Sequence, residues 1–213
     1  MPPGTPAFSA APPASPVAVL NASEINHDGR LQSNILMSSV VQSIDVVVGG
    51  NNPGAIGLRM RGAQGSSLED VAVFNPAGDA YAGIQGCSGS GGAHSNLTIV
   101  GFRIGFDARE VQPAPTASNV RIYNSSCAGL LHAGLETLSI AGLLAVAGPM
   151  TQGPAVAGAA TGQFTGEQGV LPSSASSGGA CPDVLPPPVN RQKAKPWQEG
   201  SLGLADAVIQ GPW

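Results

Sequence analysis

The apolar positions of this chain fall in short, strand-length runs and not at helical spacing. An apolar-x-apolar triplet, often preceded by Asn, Asp or Thr, occurs five times: Val46-Val47-Val48, Val71-Ala72-Val73, Leu97-Thr98-Ile99, Val120-Arg121-Ile122 and Leu138-Ser139-Ile140. Successive triplets lie 25, 26, 23 and 18 residues apart. A second motif, Gly followed by a large apolar residue, recurs at Gly57-Leu58, Gly83-Ile84, Gly105-Phe106 and Gly129-Leu130, with intervals of 26, 22 and 24. From the apolar residue of this motif to the next triplet the offset is 13, 13, 14 and then 8. Two series that keep step in this way predict a repeat of stacked coils.

The repeat predicts an all-β chain folded as a right-handed parallel β-helix of about four to five coils, with disordered or irregular ends. Each coil supplies strands of a few residues, and the next coil stacks about 4.8 Å above it. Inward positions take Val, Ile and Leu, whereas outward ones such as Ala72, Thr98, Arg121 and Ser139 are free to vary. Gly and Asn are expected at corners, where left-handed backbone is needed. Asp70, Asn96 and Asn119 each stand one residue before a triplet, which predicts a corner ladder of side chains. Leucine-rich repeats share the period but have a denser leucine signature, and a β-sandwich is the competing all-β reading.

Composition sharpens the boundaries. Residues 1–30 read as a Pro/Ala-rich leader, 31–146 as the β-helix and 147–213 as a Gly/Ala/Ser/Pro-rich linker and tail. The tail composition, including Ser173 to Gly179 and Pro186 to Pro188, offers little surface to bury against the entropy of ordering it. The 30 glycines and 19 prolines interrupt nearly every window of helical period. Charged residues make up 10% of the chain, against about 25% in an ordinary domain. Nine basic and 13 acidic residues, with no basic stripe, speak against nucleic acid as a partner. The longest apolar run, Ile140 to Met150, is too short to span a bilayer. Cys87, Cys127 and Cys181 allow one disulfide with a spare thiol, or three free thiols. Sequons at Asn21, Asn96 and Asn124 are candidate glycosylation sites that hint at secretion, although no signal peptide opens the chain.

Two segments carry a family resemblance: Arg61 to Val73 (RGAQGSSLEDVAV) and Gly91 to Gly101 (GGAHSNLTIVG). Both resemble stretches of the pectate-lyase-like β-helix superfamily, and most closely glycoside hydrolase family 55, the fungal β-1,3-glucanases. Leu185 to Trp197 (LPPPVNRQKAKPW) is similar to the Pro-rich basic linker before that family's second β-helix. The resemblance implies an extracellular exo-acting hydrolase of β-1,3-glucan. It also implies a cleft between two β-helices, with the acid carboxylate coming largely from the second. No residue of this chain matches the family's catalytic glutamate, so the chain is expected to be part of a longer protein.

Glycoside hydrolysis ordinarily needs two carboxylates about 5–10 Å apart. Asp107 and Glu110 are the candidate carboxylates, on what is read as a loop leaving the Gly105-Phe106 strand, with Arg109 between them to bind hydroxyls. The plainer reading of these charges is a solvated turn. Tyr81 is a candidate sugar-stacking ring, and His94, in a Ser/Gly-rich loop, a candidate base or substrate contact. No cofactor is implied and no metal-ligand spacing is present. The alternatives to a hydrolase are a catalytically inert carbohydrate-binding or surface β-helix, and a pectate-type polysaccharide lyase.

Overall fold

A computed structural model of the 213-residue chain describes residues 3–4, 16–23, 35–109, 115–132, 138–147, 156–158, 202–206 and 208–210. Thirteen strands are assigned among them and no α-helix. β1 (Val17–Ser23), β3 (Ala55–Arg61), β5 (Ala82–Gln85), β7 (Ile104–Asp107), β9 (Ala128–His132) and β11 (Val156–Gly158) form sheet A in that order. β2 (Val40–Val47), β4 (Ser67–Phe74), β6 (Ala93–Val100), β8 (Thr116–Ser125) and β10 (Leu138–Ala147) form sheet B, which β12 (Leu202–Ala205) and β13 (Val208–Gln210) extend by pairing with β10. Every pairing is parallel, and from β1 to β12 successive strands alternate between the sheets. This is the parallel β-helix the repeat predicts.

Register corrects the sequence reading in two places. In sheet B the inward row is Ile44, Val71, Leu97, Val120 and Leu143. The first aligned triplet is therefore Ile44-Asp45-Val46 and the last is Leu143-Leu144-Ala145, not Val46-Val47-Val48 and Leu138-Ser139-Ile140. The intervals become 27, 26, 23 and 23, and the odd offset of 8 becomes 13. Leu138 and Ile140 were misleading because β10 is ten residues long and buries them as well as Leu143 and Ala145.

The second correction concerns extent. β1 lies within the expected leader, and β11, β12 and β13 lie within the expected tail, yet each pairs with the stack. Short apolar runs such as Val17-Ala-Val-Leu20 and Val208-Ile-Gln210 are long enough to add a rung, although the average composition around them is loop-like. The Pro- and Ser-rich residues 159–201 lie outside the described residues.

The bend in sheet B is a ladder of left-handed residues. Asp70, Asn96 and Asn119 have φ of 53°, 54° and 54°, and the aligned Ser43, Gly142 and Asp206 have 54°, 69° and 51°. Left-handed backbone costs about 1–2 kcal/mol for most side chains and least for Gly, Asn and Asp. Side chains link the rungs: Asn96 Nδ2 donates to Asp70 Oδ1 at 2.5 Å, and Asn119 Nδ2 donates to Asn96 Oδ1 at 2.8 Å. The expected ladder is present, in mid-strand and longer than the three positions the sequence marked.

The Gly-apolar motif has a different cause from the expected corner. Gly57, Gly83 and Gly105 sit within strands and pair in register, and none has positive φ. They face the Val73, Ile99 and Ile122 row of sheet B so closely that a Cβ at Gly83 would lie 2.4 Å from Ile99 Cγ2. At Gly105 it would lie 2.3 Å from Ile122 Cγ2 and 2.5 Å from the Gly129 carbonyl. The next residues, Leu58, Ile84, Phe106 and Leu130, then fill the interior and are fully buried.

Two substitutions separate these devices. Gly105→Ala should destabilise by about 1–3 kcal/mol through overpacking, read from denaturant unfolding. Asn96→Val should cost about 2 kcal/mol by losing both rung contacts and the tolerated φ, whereas Asn96→Gly should cost less than half as much.

Candidate functional site

Sheet A places a row of polar side chains one above another. Arg59, Gln85, Asp107 and Leu131 are register partners on β3, β5, β7 and β9. Arg59 Nε donates to Gln85 Oε1 at 2.8 Å, and Gln85 Nε2 donates to Asp107 Oδ2 at 3.1 Å. Arg109 follows β7 by two residues, so its side chain can fold back along the strand end. Its Nε reaches Asp107 Oδ1 at 2.8 Å and its Nη2 reaches Oδ2 at 2.7 Å, a two-pronged ion pair. The same Nη2 donates to the Tyr81 hydroxyl at 2.7 Å. Beside this row, Ile56, Tyr81, Ala82, Ile104, Cys127, Ala128 and Leu131 form a small apolar cluster distinct from the main core.

Three sequence candidates, Asp107, Arg109 and Tyr81, thus come together. Glu110 lies outside the described residues. The solvated-turn reading of Asp107 is corrected, because its side chain is 2% exposed on a strand. Tyr81 is likewise buried, so its ring presents no open stacking face. The hydrogen bond to Asp107 holds the Arg109 guanidinium in its charged form more firmly than usual, against the opposing effect of burial. Burial, and then the negative charge of Asp107, push the Cys87 thiol well above its ordinary range. Asp107 accepts from Gln85 Nε2, from two nitrogens of the Arg109 side chain, and from the Arg109 amide at 3.3 Å. Both oxygens of this carboxylate are thus engaged within the protein. Its closest partner is the Arg109 guanidinium.

His94 belongs elsewhere. It was expected on a loop, but it stands on β6 in the interior row with Leu68 and Ala117 and is 1% exposed. Its Nδ1 accepts the Leu68 amide at 3.1 Å, its Nε2 faces the Ser88 amide at 3.2 Å, and the Ser88 hydroxyl lies 3.2 Å from the same Nε2. Burial lowers its pKa from 6.5 to about 4. The sequence missed this role because His94 interrupts an otherwise apolar inward row and so looks like part of the glycine-rich loop before it.

The outward side of sheet B carries the ladder, flanked by Thr98 and Arg121, whose Nη1 donates to Asn96 Oδ1 at 3.1 Å. Next to them runs a partly exposed row of Phe74, Val100, Tyr123 and Val146. Phe74 and Tyr123 escaped the sequence reading because each follows its triplet by one residue. Their common offset was the available signal. The sequon residues Asn21 and Asn124 are exposed, whereas the Asn96 amide is held in the ladder.

Cys127 is disulfide-bonded and Cys87 is a buried free thiol; Cys181 lies outside the described residues. Among the described residues, no three His, Cys, Asp or Glu side chains are gathered so as to hold a metal ion, and no helix is long and apolar enough to cross a membrane. No protein-family model, curated protein or solved structure matches the chain.

The His94 environment sets a pH dependence. Below pH 6.5 the unfolded chain binds a proton that the folded chain takes up only near pH 4, so stability falls as pH falls through this window. The loss should approach about 3 kcal/mol. Melting curves from pH 7 to pH 4 should fall less steeply for His94→Gln, after its own loss at pH 7 is subtracted.

Proposed function

We propose that this chain is the glycan-holding β-helix of an extracellular cell-wall polysaccharide hydrolase of the exo-β-1,3-glucanase kind. The observation that supports glycan holding is the outward face of sheet B. There Phe74 and Tyr123 stand two rungs apart beside a row of amide, hydroxyl and guanidinium groups from Asn96, Asn119, Thr98 and Arg121. A sugar offers apolar C–H faces to rings and a belt of hydroxyls to such donors and acceptors. The resemblance of Arg61 to Val73 and Gly91 to Gly101 to family 55 points to β-1,3-glucan as the polymer.

Catalysis in this reading is by a carboxylate general acid from a second β-helix of the full-length protein. Asp107 is unsuited to that role because Arg109 and Gln85 occupy both its oxygens. The same engagement favours the non-catalytic reading for this chain taken alone. A pectate-type lyase has less support, since it calls for acids clustered around Ca²⁺.

The chain alone should sediment with insoluble β-1,3-glucan but release no reducing sugar from laminarin or polygalacturonate. Replacing both Phe74 and Tyr123 by Ala should weaken binding about tenfold or more. Failure of the unsubstituted chain to sediment with the glucan would end this reading.

A further inference from the structure

The exposed large apolar side chains of the described residues gather at one end of the stack. Val17, Val19, Ile35, Met37, Val40 and Val47 are each 38–59% exposed, and all belong to the first coil. Among the described strands β1 pairs only with β3 and β2 only with β4. Between these two edges Leu20, Ala22, Val41 and Ile44 cover the main core while remaining partly exposed. Asp45 is the one charged residue of β1 and β2, and neither strand contains Pro, so within the strands themselves little guards the sheet edge. A single extended peptide would satisfy one edge and leave the core between the edges open. A partner must present two strands and a core at once, as another β-helix end does.

We infer that the partner is a second copy of this chain, joined end to end through the first coil by a twofold axis along the normal to the sheets. The sequence of β2, VVQSIDVV, supports this because it is complementary to itself when reversed. With the axis between Ser43 and Ile44, antiparallel pairing sets Val40 against Val47 and Gln42 against Asp45 on the outer side. On the inner side it sets Val41 against Val46. The two outward valines are 55% and 50% exposed and would cover one another. Gln42 and Asp45, both exposed, would pair an amide donor with a carboxylate, and no like charges meet. The left-handed bends at Ser43 fall beside the axis, where both copies can share the break in pairing. The same rotation brings β1 against its own copy on the other sheet. Such an interface is closed, so it yields a dimer and not a fibre.

The full chain, 21.1 kDa, should sediment as a concentration-dependent dimer. Gln42→Asp places like charges opposite one another twice across the axis and should raise the dissociation constant about tenfold. Adding Asp45→Lys to that variant should restore the dimer, and Gln42→Lys alone should tighten it. Unchanged melting curves would show that the variants remain folded. A monomer at all concentrations, an open-ended series of larger assemblies, or a dimer indifferent to Gln42→Asp would each overturn the proposal.

Discussion

A stack of coils holds together only if each coil bends where the one below it bends. In sheet B that requirement falls on a single backbone position per rung, held left-handed at Ser43, Asp70, Asn96, Asn119, Gly142 and Asp206. A bend displaced by one residue would turn the side chains beyond it to the opposite face. Residue types that tolerate the left-handed region therefore keep Val71, Leu97 and Val120 directed inward. The amide-to-amide contacts reinforce the alignment, but the backbone constraint comes first, because Gly142 keeps it with no side chain at all.

The opposing sheet meets a second, narrower condition. Gly57, Gly83 and Gly105 admit the Val73, Ile99 and Ile122 row at distances that leave no space for a methyl group. The closeness of the sheets matches an interior filled largely by aliphatic side chains. It also explains how polar side chains come to be stacked on sheet A. Once register is fixed, Arg59, Gln85 and Asp107 can only lie over one another, and hydrogen bonding between them follows.

Much of this was legible in the sequence. The Gly-apolar series aligned strand for strand, and the ladder was visible as Asp70, Asn96 and Asn119. Periodicity could not show which of two buried triplets in a long strand such as β10 lines up with the other rungs, so the first and last rungs were misassigned. Nor could it separate a glycine that turns the chain from one that admits a neighbour, since both appear as the same letter before a large side chain. The candidate site was half readable: Asp107, Arg109 and Tyr81 do meet. Their burial was not readable, because local polarity suggests solvent and only stacking reveals enclosure. His94 was misplaced for the converse reason, a polar residue in a row whose other members are apolar.

Cys87 adds a property that has nothing to do with sugars. Its thiol is enclosed and faces the field of Asp107, so it stays un-ionised in the closed coil and resists alkylating reagents and oxidants. Any reaction there reports that the coil has opened. The chain thus carries a built-in gauge of breathing near the middle of the stack.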